Sequence, residues 1–181
     1  MRENTERIIM TAAKPVFGEY TPAIEHFELN KRFSIGRLEI EAFRVPHDAI
    51  DPVGFCFYAF GLKAAIVTDL GHIPETVQFY LRGTDVLVLE SNHDEEMLSL
   101  GLHPPSVIER VAGQMGHLSN DAVGRFVDAA MDRSVSTLVL AHLSEANNRP
   151  EIVRARVERD LPLACRLLVA APGEMTEVVR Y

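Results

Sequence analysis

IVTDLGH, residues 66–72, is the stretch on which the reading of this chain turns. Ile66, Val67 and Thr68 have the character of a buried strand. They run straight into Asp69, and Gly71 and His72 follow at once. A strand that ends on a carboxylate beside a turn points to a site at the strand's carboxyl edge, where ligands of α/β sheets bind. Working outward, KAAIVTD (63–69) and VGFCFYAF (53–60) flank Gly61-Leu62, the expected turn of a β-hairpin. Upstream, FSIGRLEIEAFRV (33–45) alternates apolar and polar residues, with Gly36 between two short strands. Residues 1–32 are mixed in character, and a short helix is expected over 5–13, ended by Pro15.

Downstream the pattern changes to alternating units. ETVQFYLRG (75–83) reads as a helix, TDVLVLES (84–91) as a buried strand, and EEMLSLG (95–101) as a helix. PPSVIERVAGQMG (104–116) and NDAVGRFVDAAMD (120–132) are amphipathic helices, and VSTLVLAH (135–142) is a second buried strand. RPEIVRARVERDL (149–161) is a helix with Pro150 in its first turn, where proline is tolerated. CRLLVAA (165–171) and TEVVRY (176–181) close the chain as expected strands. An antiparallel opening followed by β and α units gives the α/β class, in one domain over residues 1–181.

Composition narrows the function. The 181 residues are 47% hydrophobic and carry a net charge of −8, which argues against general nucleic-acid binding through neutralised phosphates. A phosphodiester substrate held through metal ions stays compatible with that charge. No apolar run approaches the roughly 20 residues that span a bilayer, and MRENTERIIM carries no signal-peptide core. Cys56 and Cys165 sit far apart in apolar runs and read as reduced core residues, which suits a cytoplasmic protein.

Strand ends repeatedly deliver metal-ligand chemistry. EAFRVPHDA places His47 after a strand, AIVTDLGH places Asp69, and TLVLAHLS places His142. VLVLESNHD sets Glu90, Asn92 and His93 at a fourth strand end. Two neutral imidazoles and a carboxylate suit zinc, manganese or iron, and a carboxylate can bridge two ions. By residue type alone the plainer reading stays open: a satisfied core histidine, and an aspartate that forms a turn.

FSIGRLEIEAFRVPHDAIDPVGFCF, TDLGH, LESNHDEEML, GHLSND and AHLSEANN, in this order, resemble the metallo-β-lactamase superfamily. Within it they are most similar to the WalJ/YycJ-like hydrolases, relatives of ribonuclease Z and the phosphoribosyl cyclic phosphodiesterases. The likeness runs from about residue 24 onward. It implies an αββα sandwich with the site at the sheet edges, and a metal-dependent hydrolase of phosphodiesters, small or nucleic-acid, using two zinc or manganese ions. It also implies the site. His47 and His142 become histidine ligands, Asp69 the bridging ligand, and His117 of GHLSN the group beside the scissile phosphate that stabilises charge or moves a proton. Asn92, His93 and Asn148, with Asn147, fall on subgroup positions, and Asn92 and Asn148 are expected to orient ligands by hydrogen bonds. His72 and His103 read as turn or surface residues.

The superfamily's HxHxDH motif is absent, and no HxH occurs anywhere in the 181 residues. The likeness is to the family's carboxyl-terminal portion, so the expected fold is a partial sandwich with its first sheet incomplete. His47, Asp69 and His142 give each of two ions one imidazole and a shared carboxylate, below zinc's usual three or four protein ligands. VLVLE and TLVLA are apolar on both faces, so one sheet face is expected to lack its cover and to need a second copy or a complementing chain. Three expectations follow in order: a hydrolase whose start has been placed at an internal Met1, one half of a split enzyme, and an inactive remnant or interaction module.

Overall fold

The computed structural model describes residues 26–181. The helix expected over 5–13 lies outside them. Seven strands form one mixed sheet: β1 (Arg32–Ile35), β2 (Leu38–Arg44), β3 (Val53–Ala59), β4 (Leu62–Val67), β5 (Val86–Glu90), β6 (Thr137–Ala141) and β7 (Arg166–Val169). They lie side by side in sequence order. β1 to β4 pair antiparallel and β4 to β7 parallel. Five helices fill the connections: α1 (Glu75–Leu81), α2 (Glu95–Leu100), α3 (Pro105–Ala112), α4 (Asn120–Ala129) and α5 (Pro150–Glu158). None of these is long and apolar enough to cross a membrane.

Local chemistry accounts for the boundaries. Gly36 takes a positive φ in the turn between β1 and β2, as its position between two alternating runs predicts. The next hairpin turns one residue earlier than expected. Ala59 pairs with Leu62, so Phe60-Gly61 is the two-residue loop. Both take positive φ, 53° and 79°, the geometry that matches strand twist in tight hairpins, and Leu62 is left to start β4. Ser119 and Asp94 cap α4 and α2 by accepting from the amides of Ala122 and Met97. Pro150 opens α5, where its missing N–H costs nothing.

TEVVRY does not form a strand. The chain leaves β7 through Pro172-Gly173, with Gly173 at φ 76°, and residues 176–181 join no ladder. Side chains hold this segment instead: Glu177 pairs with Arg166, and the Tyr181 hydroxyl bonds to Thr137 and Ser136. Its apolar alternation was real, but its backbone runs where no strand edge accepts it.

The two sheet faces differ. Phe43, Cys56, Ala65, Val67, Leu87, Leu89, Leu138 and Leu140 face one side and are buried under α1, α4 and α5, which contribute Val77, Leu81, Val123, Phe126, Val153 and Val157. The other side carries Phe33, Phe55, Phe57, Ile66, Val86, Val88 and Val139. None of these is fully buried, and Ile66 is 39% exposed. Phe27 stacks on Phe33 and meets Phe55 edge-on at the β1 end of this face. Among the described residues no helix covers it. Cys56 and Cys165 are buried and unbridged, and burial pushes both thiols up.

Candidate metal centre

β4, β5 and β6 are parallel, and β2 runs the same way two antiparallel steps across. Their carboxyl ends therefore share one edge of the sheet. Asp69 follows β4, Glu90 ends β5, His142 follows β6, and His47 follows β2. His117 comes from the loop between α3 and α4 and sits between the other two imidazoles, with ring centroids 5.0 Å from His47 and 5.4 Å from His142.

The backbone is bent to bring these groups together. Asp69 and His142 take positive φ, 59° and 60°, a conformation that costs non-glycine residues energy and collects at functional sites. Asn92 braces the second bend: its side-chain amide donates to the His142 carbonyl at 3.0 Å.

Hydrogen bonds then fix which imidazole nitrogen is free. The Gly116 carbonyl accepts from His47 Nδ1 at 2.8 Å. Glu90 Oε1 accepts from Nδ1 of both His117 and His142 at 2.7 Å. Glu90 is fully buried, and its Oε2 takes the Leu70 amide at 2.9 Å and the Leu118 amide at 3.4 Å. Burial alone would push the Glu90 carboxyl up. The bonds from His117, His142 and Leu70 together outweigh it and hold the group below its ordinary value. The bond from Glu90 raises His142 against the opposing effect of burial. With Nδ1 protonated on all three rings, each Nε2 keeps its lone pair, as neutral metal-ligating histidines require.

Two of these Nε2 atoms, on His47 and His142, each lie 3.8 Å from the same oxygen of Asp69. That is too long for a hydrogen bond. It fits an imidazole nitrogen and a carboxylate oxygen that share an ion, each about 2.1 Å from it. Ligand atoms of His47, Asp69 and His117 fall within 4.8 Å of one another, as do those of Glu90, His117 and His142. The first set is the better site for an ion, because Glu90 is already occupied by four donors. Its residues fit a divalent metal in donor type, tautomer and spacing; with His142 also aimed at Asp69, two ions sharing these four groups would be short of ligands.

A family model for the beta-lactamase superfamily domain matches residues 3–143. The chain belongs to the metallo-β-lactamase superfamily. Among curated members of that superfamily, it is 36% identical over 129 residues to the exodeoxyribonuclease YycJ of Bacillus anthracis, covering 71% of this chain and 48% of that protein. The chain thus spans about half the length of the curated relatives it matches. Superfamily folds align with it: YhfI of Bacillus subtilis at TM-score 0.61 and 14% identity, over 82% of this chain and 52% of that one. Zn(2+)-bound PqqB of Methylobacterium extorquens aligns at TM-score 0.57 and 18% identity, over 84% and 55%.

The other residues singled out from the superfamily resemblance divide. Asn148 touches no imidazole; it bonds to Ser91 O and to Asn120 in a buried amide network that anchors the start of α5. The Ser144 hydroxyl closes the 144–147 turn by accepting from the Asn147 amide, and the Asn147 side chain reaches His103 at 3.2 Å. His72 Nδ1 donates to the Gln114 carbonyl at 3.0 Å. His93 is buried beside the site, where desolvation pushes its pKa down and keeps the ring neutral at pH 7. Glu90 is the central residue that the resemblance does not supply. Its only signal in the sequence is the one shared with Asp69, a carboxylate closing an apolar strand.

Gly116 has no such signal. A Cβ there would collide with the backbone carbonyls of Arg110 and Val111. Gly116→Ala is expected to lower stability by about 2–3 kcal/mol and to weaken metal binding, because the carbonyl that accepts from His47 must move. Thermal unfolding and a zinc titration check both.

The cluster also sets a pH dependence. Glu90, lowered from its ordinary 4.5, contributes stability present above that pH and lost as pH falls through its folded value. His142, raised from 6.5, contributes stability present below that pH and lost as pH rises through its folded value. The metal-free chain is expected to gain most from these groups between pH 4.5 and 6.5. Urea unfolding in a chelator on both sides of that window is the check.

Proposed function

We propose that this chain carries one half of a dinuclear metal centre that hydrolyses phosphodiesters in DNA, with Asp69 as the bridging ligand. The observation that carries the reading is the pair of 3.8 Å approaches of His47 and His142 Nε2 to one oxygen of Asp69. The substrate class is supported by the likeness to an exodeoxyribonuclease at 36% identity. Divalent ions bound there, zinc or manganese, supply a water of lowered pKa and neutralise phosphate charge. The chain's own residues do the positioning. His47 and His142 hold their Nε2 atoms toward Asp69, while Gly116 O and Glu90 prevent either ring from turning. His117, pinned through Nδ1, keeps Nε2 for a proton or for the charge on a leaving oxygen.

His47, Asp69 and His142 fall below the three or four protein ligands that each zinc ion takes. We assign the remaining ligands to polypeptide other than these 181 residues, and the cover over the open sheet face to a second copy or a complementing chain.

Zinc titration of the purified chain tests the reading. The expected result is saturable binding well below the strength of complete structural zinc sites, which reach about 10–16 kcal/mol, and its loss in His142→Ala. Binding that ignores this substitution overturns the proposal.

A further inference from the structure

A cavity of about 410 Å³ opens beside the metal ligands and shares His117 with them. Its size suits a small organic group. Leu98 of α2, Ile108 and Ala112 of α3, and Ala122 of α4 give it apolar walls. Polar groups break them, Gln114 and Arg125 among them, and two bear on what the cavity can hold. His93, 1% exposed, lines the cavity, and its Nδ1 has no hydrogen-bond partner. The backbone on either side of His93 is tied down. His93 O accepts the Asn120 amide, and the Asp94 amide donates to Asn147 O. A buried imidazole nitrogen without a partner is costly, and a ligand toward which the ring turns offsets the cost.

The second group is Glu95. Its Oε1 accepts from the Ser119 hydroxyl at 2.8 Å, which fixes the carboxylate and leaves Oε2 without a partner among the described residues. This carboxylate shares the cavity lining with the Arg125 guanidinium, so the cavity carries both charges. The carboxylate accepts from an amino group on a flat heterocycle, the pairing carboxylates make with cytosine N4. Apolar walls, a neutral imidazole and one carboxylate oxygen together describe a nucleobase pocket, with His117 marking where the attached phosphate lies.

We propose that this cavity is the base subsite of the hydrolase, taking the base next to the scissile phosphate at a DNA strand end and favouring bases with an exocyclic amino group over thymine. The inference rests on the DNA-hydrolase reading above, and its test does not use metal.

The test measures binding of the four deoxynucleoside 5′-monophosphates to the 181-residue chain in a chelator, by calorimetry or amide chemical shifts. The expected result is that dAMP, dCMP and dGMP bind about tenfold more tightly than dTMP. Glu95→Gln, whose amide can donate to a thymine carbonyl, brings the four to near parity. Ala112→Phe, at an exposed rim position where the fold is not at risk, blocks all four. A single-stranded pentamer ending in deoxycytidine binds more tightly than dCMP. A pentamer that binds more weakly assigns the cavity to free nucleotides and overturns the strand-end role. Equal binding of dCMP and dTMP, or binding indifferent to both substitutions, overturns the subsite. Zinc retained through His142 alongside that result leaves the hydrolase reading standing.

Discussion

Replacing Glu90 by alanine is expected to cost the chain about 4 kcal/mol. The fully buried carboxylate is the acceptor for four donors: Nδ1 of His117 and His142, and the amides of Leu70 and Leu118. Alanine leaves all four without partners, in a space too closed for each to recover one from solvent. The loss is far above the ordinary surface substitution, which stays within about 0.5 kcal/mol. Glu90→Gln keeps the shape but turns an NH2 toward two of the four donors, and about half of the loss is expected. Urea unfolding of both variants beside the parent gives the ranking. A Glu90→Ala chain as stable as the parent contradicts the four-bond account. The same variants are expected to lose 10–100-fold in zinc affinity, as when the partner that orients a ligating histidine is removed.

Asp69→Gly is expected to move stability and metal binding in opposite directions. At φ 59° an aspartate is held in the left-handed region, which glycine enters without cost. Its carboxylate meets His47 and His142 only at 3.8 Å, beyond hydrogen-bond range, so the metal-free fold gains little from it. Glycine should therefore stabilise the metal-free chain by about 1 kcal/mol, a rise of about 2–4 °C in Tm for a domain of this size. Zinc affinity should fall on the order of 100-fold or more, since the lost group is a direct ligand rather than an orienting one. An aspartate kept merely to form a turn would show no loss of zinc affinity, so the two readouts separate the plain reading of TDLGH from the functional one.

Much of this was legible in the chain because the signals were local. VLVLE and TLVLA read as strands apolar on both faces, one of them lacking its cover, and Val86, Val88 and Val139 do sit half-exposed on the uncovered side. The polar residues at strand ends do converge on one edge, since β4, β5 and β6 run parallel. What escaped was whatever depends on distant partners. Glu90 is an unremarkable strand terminator until residues 20, 27 and 52 positions away donate to it. The TEVVRY pattern predicts a strand, but a ladder needs a neighbouring edge, and the turn at Pro172-Gly173 carries the segment away from one. PPSVIERVA is an amphipathic helix in the sequence, and α3 buries none of its residues. Its apolar stripe partly lines the cavity beside His117 instead of packing in the core.

The strand order has a consequence for how the chain comes to be folded. Each strand pairs with the one before it, so every addition docks on an edge that already exists, and no strand waits for a distant partner. Such an arrangement lends itself to growth from the amino end during synthesis. The site, however, is completed in a fixed sequence. His47 and Asp69 are laid down with β2 to β4, Glu90 arrives with β5, and His142 comes only with β6. Throughout that interval the nascent chain holds a buried carboxylate whose final imidazole partner has not yet emerged, and closure of that pair marks the moment at which the metal-binding edge is assembled.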